Sequence, residues 1–441
     1  MKLNASAQFV LDKLNQSNYK AYIVGGTVRD FLLHKDNTDI DITTNALPDQ
    51  VKEVFKGYKI FDTGIKHGTV SLLINGELIE ITTFRKDENY LDNRHPSSIK
   101  FVSTLREDLL RRDFTINAMA YNKRIYDYYG GREDLANKII RAVGNANERF
   151  REDALRILRA LRFSSVLGFT IEEKTKQAMF ENMSLLKNIS HERIREEFNK
   201  ILLGENAEEV LLNYEKIFEE IIPEFSLMYG FEQHNEHHIY DVYTHCVKAV
   251  SSSKKDLIIR LTLMFHDIGK PKVFSLDEQN HGHFYNHAVE SKKIARDILN
   301  RLKYDNNTKK QVLTLIEYHD VVLNAEEKCV KRWLNRLGED LFDKLIEVQR
   351  GDNFAQHPKH RERQLKLDQI VTIKNKIIEE KNCFSLKQLA INGKDLIALG
   401  MNGRAVGQTL NKILNLVLNG EIENDKTKII EYIKSNKKCY H

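Results

Sequence analysis

The chain has 441 residues, of which 41% are hydrophobic and 30% charged, with 5 prolines, 21 glycines and a formal charge of +5. That length predicts roughly two to four domains in series, and the mildly basic balance permits a polyanionic partner without requiring one. No apolar run approaches the roughly 18 residues of a membrane-crossing helix, the opening MKLNASAQFVLDKLNQSNYK lacks a secretory apolar stretch, and Cys246, Cys329, Cys383 and Cys439 stand far apart; these features exclude membrane-spanning and disulfide-scaffold classes and predict a cytoplasmic protein.

In chain order, AYIVGGTVRDFLL reads as a strand, a glycine turn and a helix, and TDIDITT, GTVSLLI and LIEITTF read as short β-branched strands. They predict a small α+β head with a mixed sheet over residues 1–145. Apolar spacing of three and four residues then takes over, so the remainder should be all-α: a helical neck over 146–230 with Ser190 capping HERIREEFNKILL, a histidine-rich bundle over 231–380, and a helical tail over 381–441.

Along the strand TDIDIT, side chains alternate, so Asp39 and Asp41 share one face while Ile40 and Ile42 turn to the core. Neighbouring carboxylates repel unless a cation lies between them, and Mg²⁺ with its preference for oxygen ligands suits the gap. By itself the pattern is better read as a solvated edge strand. Upstream, however, Gly25 and Gly26 sit between a strand and a helix carrying Arg29, which gathers bare backbone N–H groups and a guanidinium where a triphosphate would fit.

With VGGTVRDFLL, DIDITT, RRDFTINAMAYN, EDALRILRALRFSSVLGF and ERIREEFNKILL in this order over about the first 205 residues, the chain resembles the class II tRNA nucleotidyltransferases (CCA-adding enzymes) and bacterial poly(A) polymerases of the DNA polymerase β-like superfamily. The resemblance implies that Asp39 and Asp41 bind two catalytic Mg²⁺ ions, with Glu80 of LIEITTF as a third carboxylate. Gly26, Arg29, Arg111 and Arg112 would bind nucleotide, with Asp113 holding the two arginines or the adjoining turn. His34 departs from the family's usual Gly before the paired aspartates, with little consequence expected.

In EDALRILRALRF, helical spacing sets Asp153 and Arg156 one turn apart, with Arg159 and Arg162 continuing the row. That is also the pattern of a surface ion pair. A carboxylate accepts from an exocyclic amino group and a guanidinium donates to a ring nitrogen or carbonyl, so one of each admits cytosine and adenine and rejects uracil and guanine. The resemblance gives this protein-template role to Asp153 and Arg156 and places Arg159 and Arg162 nearer the phosphates. The segment RKDENYLDNRHPSSIKF occupies the place of a mobile loop that relatives adding only CC lack, and it retains Asp92 and Arg94. The implied partners are tRNA, CTP and ATP, with pyrophosphate released. A poly(A) polymerase or A-only enzyme is the nearest alternative. No oligomeric state follows from the sequence.

DVYTHCVKAV, LMFHDIGKP, FYNHAVES, EYHD and EVQRGDNF resemble the HD phosphohydrolase superfamily. The implied metal ligands are His245, His266, Asp267 and Asp352, with His287 and His319 completing a second-metal or phosphate site. A mixed imidazole and carboxylate set suits Mn, Fe, Ni or Mg and would serve a phosphatase or phosphodiesterase acting on 2′,3′-cyclic or terminal phosphates. A helical RNA support that keeps its histidines, or a phosphohydrolase with a vestigial head, are the other readings. Lys394, Arg404 and the terminal lysines would meet tRNA backbone phosphates.

Overall fold

A seven-stranded mixed sheet carries the first constellation. The structure, a computed structural model, describes residues 3–35, 40–62, 64–90 and 96–436, so the expected Asp39, Asp92 and Arg94 lie outside the described residues. Two compact units are present, Met1–Pro223 and Glu224–His441. In the first, the strands are β1 (Ala21–Val24), β2 (Asp41–Thr44), β3 (Lys59–Phe61), β4 (Thr69–Ile74), β5 (Glu77–Thr83), a hairpin of β6 (Arg85–Tyr90) and β7 (Pro96–Phe101), then β8 (Met119–Asn122) and β9 (Arg124–Asp127). The sheet order is β3-β4-β5-β2-β1-β8-β9, with the hairpin separate.

All pairings in that sheet are antiparallel except β2 with β5, where Asp41 is the register partner of Glu80. Residues paired in register share a face, and both acids are exposed while Ile42 and Ile81 are buried. Val24, Phe84, Leu105, Leu109, Ala118, Ala120 and Val143 form one apolar cluster of this unit. The α+β head thus matches the expected fold class.

Five helices of this unit matter for the site: α1 (Gly26–Leu32), α2 (Leu105–Leu110), α3 (Ala146–Glu152), α4 (Leu155–Leu167) and α5 (His191–Leu202). Ser190 occupies the capping position of α5, though its side chain makes no cap hydrogen bond. The expected continuous helix through EDALRILRALRF is broken at Asp153, whose backbone is extended at φ −142° and ψ 100°. The cause is local. Its carboxylate accepts from Leu155 N at 3.1 Å, the side-chain competition with helical hydrogen bonding that makes Asp a helix-end residue.

The second unit is mainly helical, with α6 (Val242–Ser251), α7 (Leu257–Phe265), α8 (His287–Arg301), α9 (Asn306–Tyr318), α10 (Glu339–Ala355) and α11 (Arg363–Glu379) around the histidine-rich site; it departs from the all-α expectation at one short antiparallel hairpin, Ser275–Leu276 with Gly282–His283. Aspartates set two of the starts: Asp241 accepts from Thr244 N at 2.6 Å and Asp256 from Ile258 N at 2.8 Å. Gly351 on α10 has Leu263 Cδ1 2.8 Å and Ala249 O 3.0 Å from where a Cβ would stand. Only glycine lets α10 come this near to α6 and α7, and the next residue is Asp352. Leu396, Met401, Ile413, Leu414, Ile429 and Ile433 belong to a separate apolar cluster of the tail segment.

Candidate active sites

Gly25 precedes α1 with φ +71° and ψ −136°, and a Cβ there would meet Arg112 Nη1 at 3.1 Å and Asp41 Oδ2 at 3.8 Å. The turn therefore requires glycine for conformation and for clearance. A cavity of about 460 Å³ opens beside it, lined by Gly25, Gly26, Arg29, Asp41, Arg112, Asp113, Asn117, Arg159, Arg162 and Phe163 among others. Eight residues singled out on sequence grounds meet here: Gly25, Gly26, Arg29, Asp41, Arg112, Asp113, Arg159 and Arg162.

Each of the cations is aimed by a partner. Arg29 Nη1 donates to Asn117 Oδ1 at 2.7 Å and its Nε to Asp30 at 2.8 Å. Arg159 Nε donates to Asp113 at 2.8 Å, and Arg162 Nε lies 3.3 Å from Glu197. Phe163 sits among them, its ring centre 5.1 Å from the guanidinium carbon of Arg29, 5.5 Å from that of Arg159 and 4.3 Å from that of Arg162. Burial and then the neighbouring Arg159 both work against the charge on Arg162. A guanidinium stays protonated, so this crowding is stored repulsion that a polyanion would relieve.

Asp113 does hold the adjoining turn, accepting from Phe114 N at 2.8 Å and Asn117 Nδ2 at 3.1 Å. It does not hold Arg111 and Arg112. The carboxylate that pairs with both is Asp108, fully buried on α2, at 2.8 Å from Arg111 Nη2 and 3.6 Å from Arg112 Nη2. Lying three and four residues ahead, Asp108 shares their helix face. It also accepts from Thr43 Oγ1 on β2 at 3.2 Å and from Arg85 N at the start of β6 at 3.3 Å. Burial pushes the Asp108 carboxyl up, but Arg111 and Arg112 outweigh it and the net shift is downward. Asp113 is likewise held below the usual carboxylate range, with burial opposed chiefly by Arg159 and Asn117.

The two expected template residues are engaged elsewhere. Asp153 pairs with Arg193 of α5 at 2.8 Å. Arg156 donates to Arg111 O at 2.8 Å, Arg149 O at 3.1 Å and Glu152 at 2.7 Å, fastening α4 to the arginine segment. Neither lines the 460 Å³ cavity, and nor do Arg111 and Glu80. In this arrangement Asp153 and Arg156 are not a side-chain pair; their link is the 3.0 Å bond from Arg156 N to Asp153 O. His34 adopts φ +55°, a left-handed conformation that explains the family's glycine at this position and that histidine tolerates better than most residues.

In the second unit, His245 of α6, His266 and Asp267 after α7, His287 opening α8, His319 ending α9 and Asp352 of α10 converge. Their ligand atoms form two groups, His245 with His266 and Asp267, and Asp267 with His287 and His319, each within 4.8 Å, so Asp267 is common to both. All four imidazoles have Nδ1 beside a backbone carbonyl: Ala355 O at 3.4 Å, Leu263 O at 2.7 Å, Phe284 O at 2.9 Å and Ile316 O at 2.7 Å. A carbonyl only accepts, so each Nδ1 carries the hydrogen and each Nε2 of a neutral ring turns a lone pair inward.

The consequence is visible between His287 and His319, whose Nε2 atoms stand 3.1 Å apart. Burial pushes the His287 imidazole toward its neutral form, so its Nε2 lone pair faces the His319 ring. Among the described residues, His266 Nε2 and Asp267 Oδ1 are buried with no well-formed hydrogen bond, with Asp267 Oδ2 at 3.2 Å and His287 Nε2 at 3.4 Å beside them respectively, a costly arrangement that a cation would relieve. The donor set fits a divalent metal, which would be held through Nε2 while the carbonyls at Nδ1 fix the rings. Lys270, part of the HDIGKP stretch, was not among the expected ligands. Its ammonium lies 2.6 Å from Asp267 Oδ2 and donates to Gln233 Oε1 at 2.7 Å.

Known proteins resemble this chain along its whole length. The Poly A polymerase head domain matches residues 21–141, the probable RNA and SrmB-binding site of polymerase A matches 168–228, and the putative tRNA nucleotidyltransferase domain 2 matches 283–433. The CCA-adding enzyme of Lactobacillus helveticus is 38% identical over 431 residues, 96% of this chain and 95% of that protein. That of Streptococcus thermophilus is 34% identical over 438 residues, 97% and 96%. The crystal structure of the Bacillus stearothermophilus CCA-adding enzyme in complex with CTP aligns with a TM-score of 0.70 and 30% identity, over 100% of this chain and 99% of that one. The Thermotoga maritima CCA-adding enzyme complexed with tRNA shares the fold at a TM-score of 0.58 and 23% identity, over 98% and 94%. Nucleotidyltransferases of this kind depend on divalent metal. With relatives at this identity over nearly the full length, the chain belongs to the CCA-adding enzymes, a family of nucleotidyltransferases.

Proposed function

We propose that the chain adds C, C and A from CTP and ATP to the 3′ end of tRNA in the cytoplasm. The observation that carries this reading is the 460 Å³ cavity in which Asp41, a glycine turn and four arginines face one space. In the step proposed, the RNA 3′-hydroxyl gives its proton to solvent as its oxygen bonds to the α-phosphorus, the bond from that phosphorus to the bridging oxygen breaks, and pyrophosphate leaves with the electron pair. Asp41 and Glu80, together with Asp39 on the strength of the sequence resemblance, would hold two Mg²⁺ ions, which would lower the pKa of the attacking hydroxyl and neutralise the leaving charge. Support for Glu80 comes from its register with Asp41.

Gly26, Arg29, Arg112, Arg159 and Arg162 take the triphosphate, with Arg111 completing the arginine pair on Asp108. Asp153 and Arg156 read the base once released from Arg193 and Glu152, each partner a polar group that a bound base would replace. In functional terms residues 1–145 are the catalytic head, 146–230 the neck, 231–380 the metal bundle and 381–441 the tRNA-binding tail. Sequencing the 3′ ends of tRNA lacking CCA after incubation with CTP alone, ATP alone and both tests the proposal. The expected products are CC with CTP, no addition with ATP, and CCA with both; A tails from ATP alone would identify an A-only or poly(A) enzyme instead.

A second activity is favoured by the converging imidazole and carboxylate atoms of the helical unit. His245, His266, His287, His319, Asp267 and Asp352 would hold Mn, Fe, Ni or Mg and hydrolyse 2′,3′-cyclic or terminal phosphates, cleaning damaged RNA ends before addition. No turnover of 2′,3′-cyclic nucleotides by manganese-loaded protein would remove this activity.

A further inference from the structure

Two cavities meet at the helical metal site. One of about 400 Å³ lies over the ligands and is lined by Asp267, Lys270, His287, His319 and Asp352. Another of about 830 Å³ is lined by His237, His360, Leu365, Lys366 and Gln369. His238, Gln356 and Arg363 line both, so the metal site is the inner end of a longer trough. Free phosphate needs only the inner part. The outer part has the size of sites for small organic ligands, about 300–1,000 Å³.

Arg363 stands at the junction. Its Nη1 is 3.9 Å from Asp352 Oδ2, and among the described residues its guanidinium makes no hydrogen bond. Asp352 has two sides: Oδ1 faces His245 at 3.0 Å and His266 at 3.6 Å, while Oδ2 accepts from Gln356 Nε2 at 3.1 Å and faces Arg363. The inner oxygen is thus given to the ligand set and the outer one steers a forked cation whose donors remain available, the geometry that suits a phosphate oxygen. Beyond it the walls change character. His237 and His360 bring ring centres 4.3 Å apart, Leu365 is 67% exposed, and Gln369 supplies an amide, a mixture able to hold a sugar and read a base edge.

We propose that the outer cavity is the nucleoside subsite of the helical metal site, with Arg363 as the phosphate clamp between the two, so that this site takes the phosphorylated 3′ end of RNA in preference to small phosphate esters. The proposal rests on the phosphohydrolase reading above and adds residues to it that no ligand motif contains.

The test is titration of manganese-loaded full-length protein with adenosine 3′-monophosphate and, separately, inorganic phosphate. Wild type, Arg363→Ala and Leu365→Asp are compared, so that binding in the head is common to all three. Leu365 is exposed in the first turn of α11, where an aspartate favours the helix. Arg363→Ala should weaken both ligands about ten-fold, as expected for losing one charge-assisted contact. Leu365→Asp should lower the ratio of nucleotide to phosphate affinity by about ten-fold. Crystals of the manganese-loaded wild type soaked in the nucleotide should place its purine against Leu365 and Lys366. If the protein holds manganese and phosphate yet the ratio is unchanged or the purine lies elsewhere, the subsite is overturned while the phosphohydrolase reading stands. If manganese is not held by these ligands, as judged by metal content that Asp267→Asn does not alter, both fall.

Discussion

The head cavity and the helical trough both assemble charge around carboxylates, but they do so in opposite ways. In the head, Asp41 and Glu80 stand exposed on neighbouring strands, while the buried acids Asp108 and Asp113 fix arginines that are only half-buried. In the helical unit the carboxylates Asp267 and Asp352 are themselves buried and the surrounding groups are imidazoles that turn Nε2 inward. The first arrangement suits ions that arrive with a triphosphate. The second suits an ion that stays.

The strongest way to sharpen this contrast is Asp41→Ala, which should lower CMP and AMP incorporation by about 10³-fold or more while leaving tRNA affinity within about two-fold, read by single-turnover incorporation and filter binding. Unchanged incorporation would dissolve the distinction at once. Next comes Asp108→Asn. Removing one partner of a buried charge cluster costs about 3–5 kcal/mol, so thermal unfolding should show the head losing stability with the helical unit unaffected.

A smaller effect is expected at Arg159→Ala, a rise of about ten- to a hundred-fold in KM for CTP from the loss of one charge-assisted contact. Asp153→Ala should relax base choice by about ten-fold, seen as UMP incorporation in competition with CTP; selectivity equal to wild type would take the template role from Asp153. The smallest is a pH effect. Asp108 and Asp113 are held below the unfolded carboxylate value of about 3.9, so their stabilisation is complete above that pH and lost as pH falls through their folded values. The head's melting temperature should drop on acidification below about pH 4, less so in Asp113→Asn.

Much of the head was legible because its signals are local. Gly25 and Gly26 mark a turn, and alternation along TDIDITT puts Asp41 outward and Ile42 inward, as observed. The neighbouring-strand position of Glu80 also follows the expected order, although register with Asp41 is a tertiary fact. What escaped depends on contacts far along the chain. Asp108 reads as one more acid of an amphipathic helix until β2, the start of β6 and two arginines close over it. Phe163 reads as core, and it becomes the platform for three guanidinium groups only once α4 meets α1. The break at Asp153 was hidden for another reason: helical spacing continues through it, and a single side chain bonding to Leu155 N decides the local conformation.

Asp108 has a mechanical corollary. Because one carboxylate fastens Arg111, Arg112, the strand bearing Asp41 and the root of the β6–β7 hairpin, a pull on the arginines by an arriving phosphate cannot stay private to them. It loads a common rivet, and the hairpin's base shares that load.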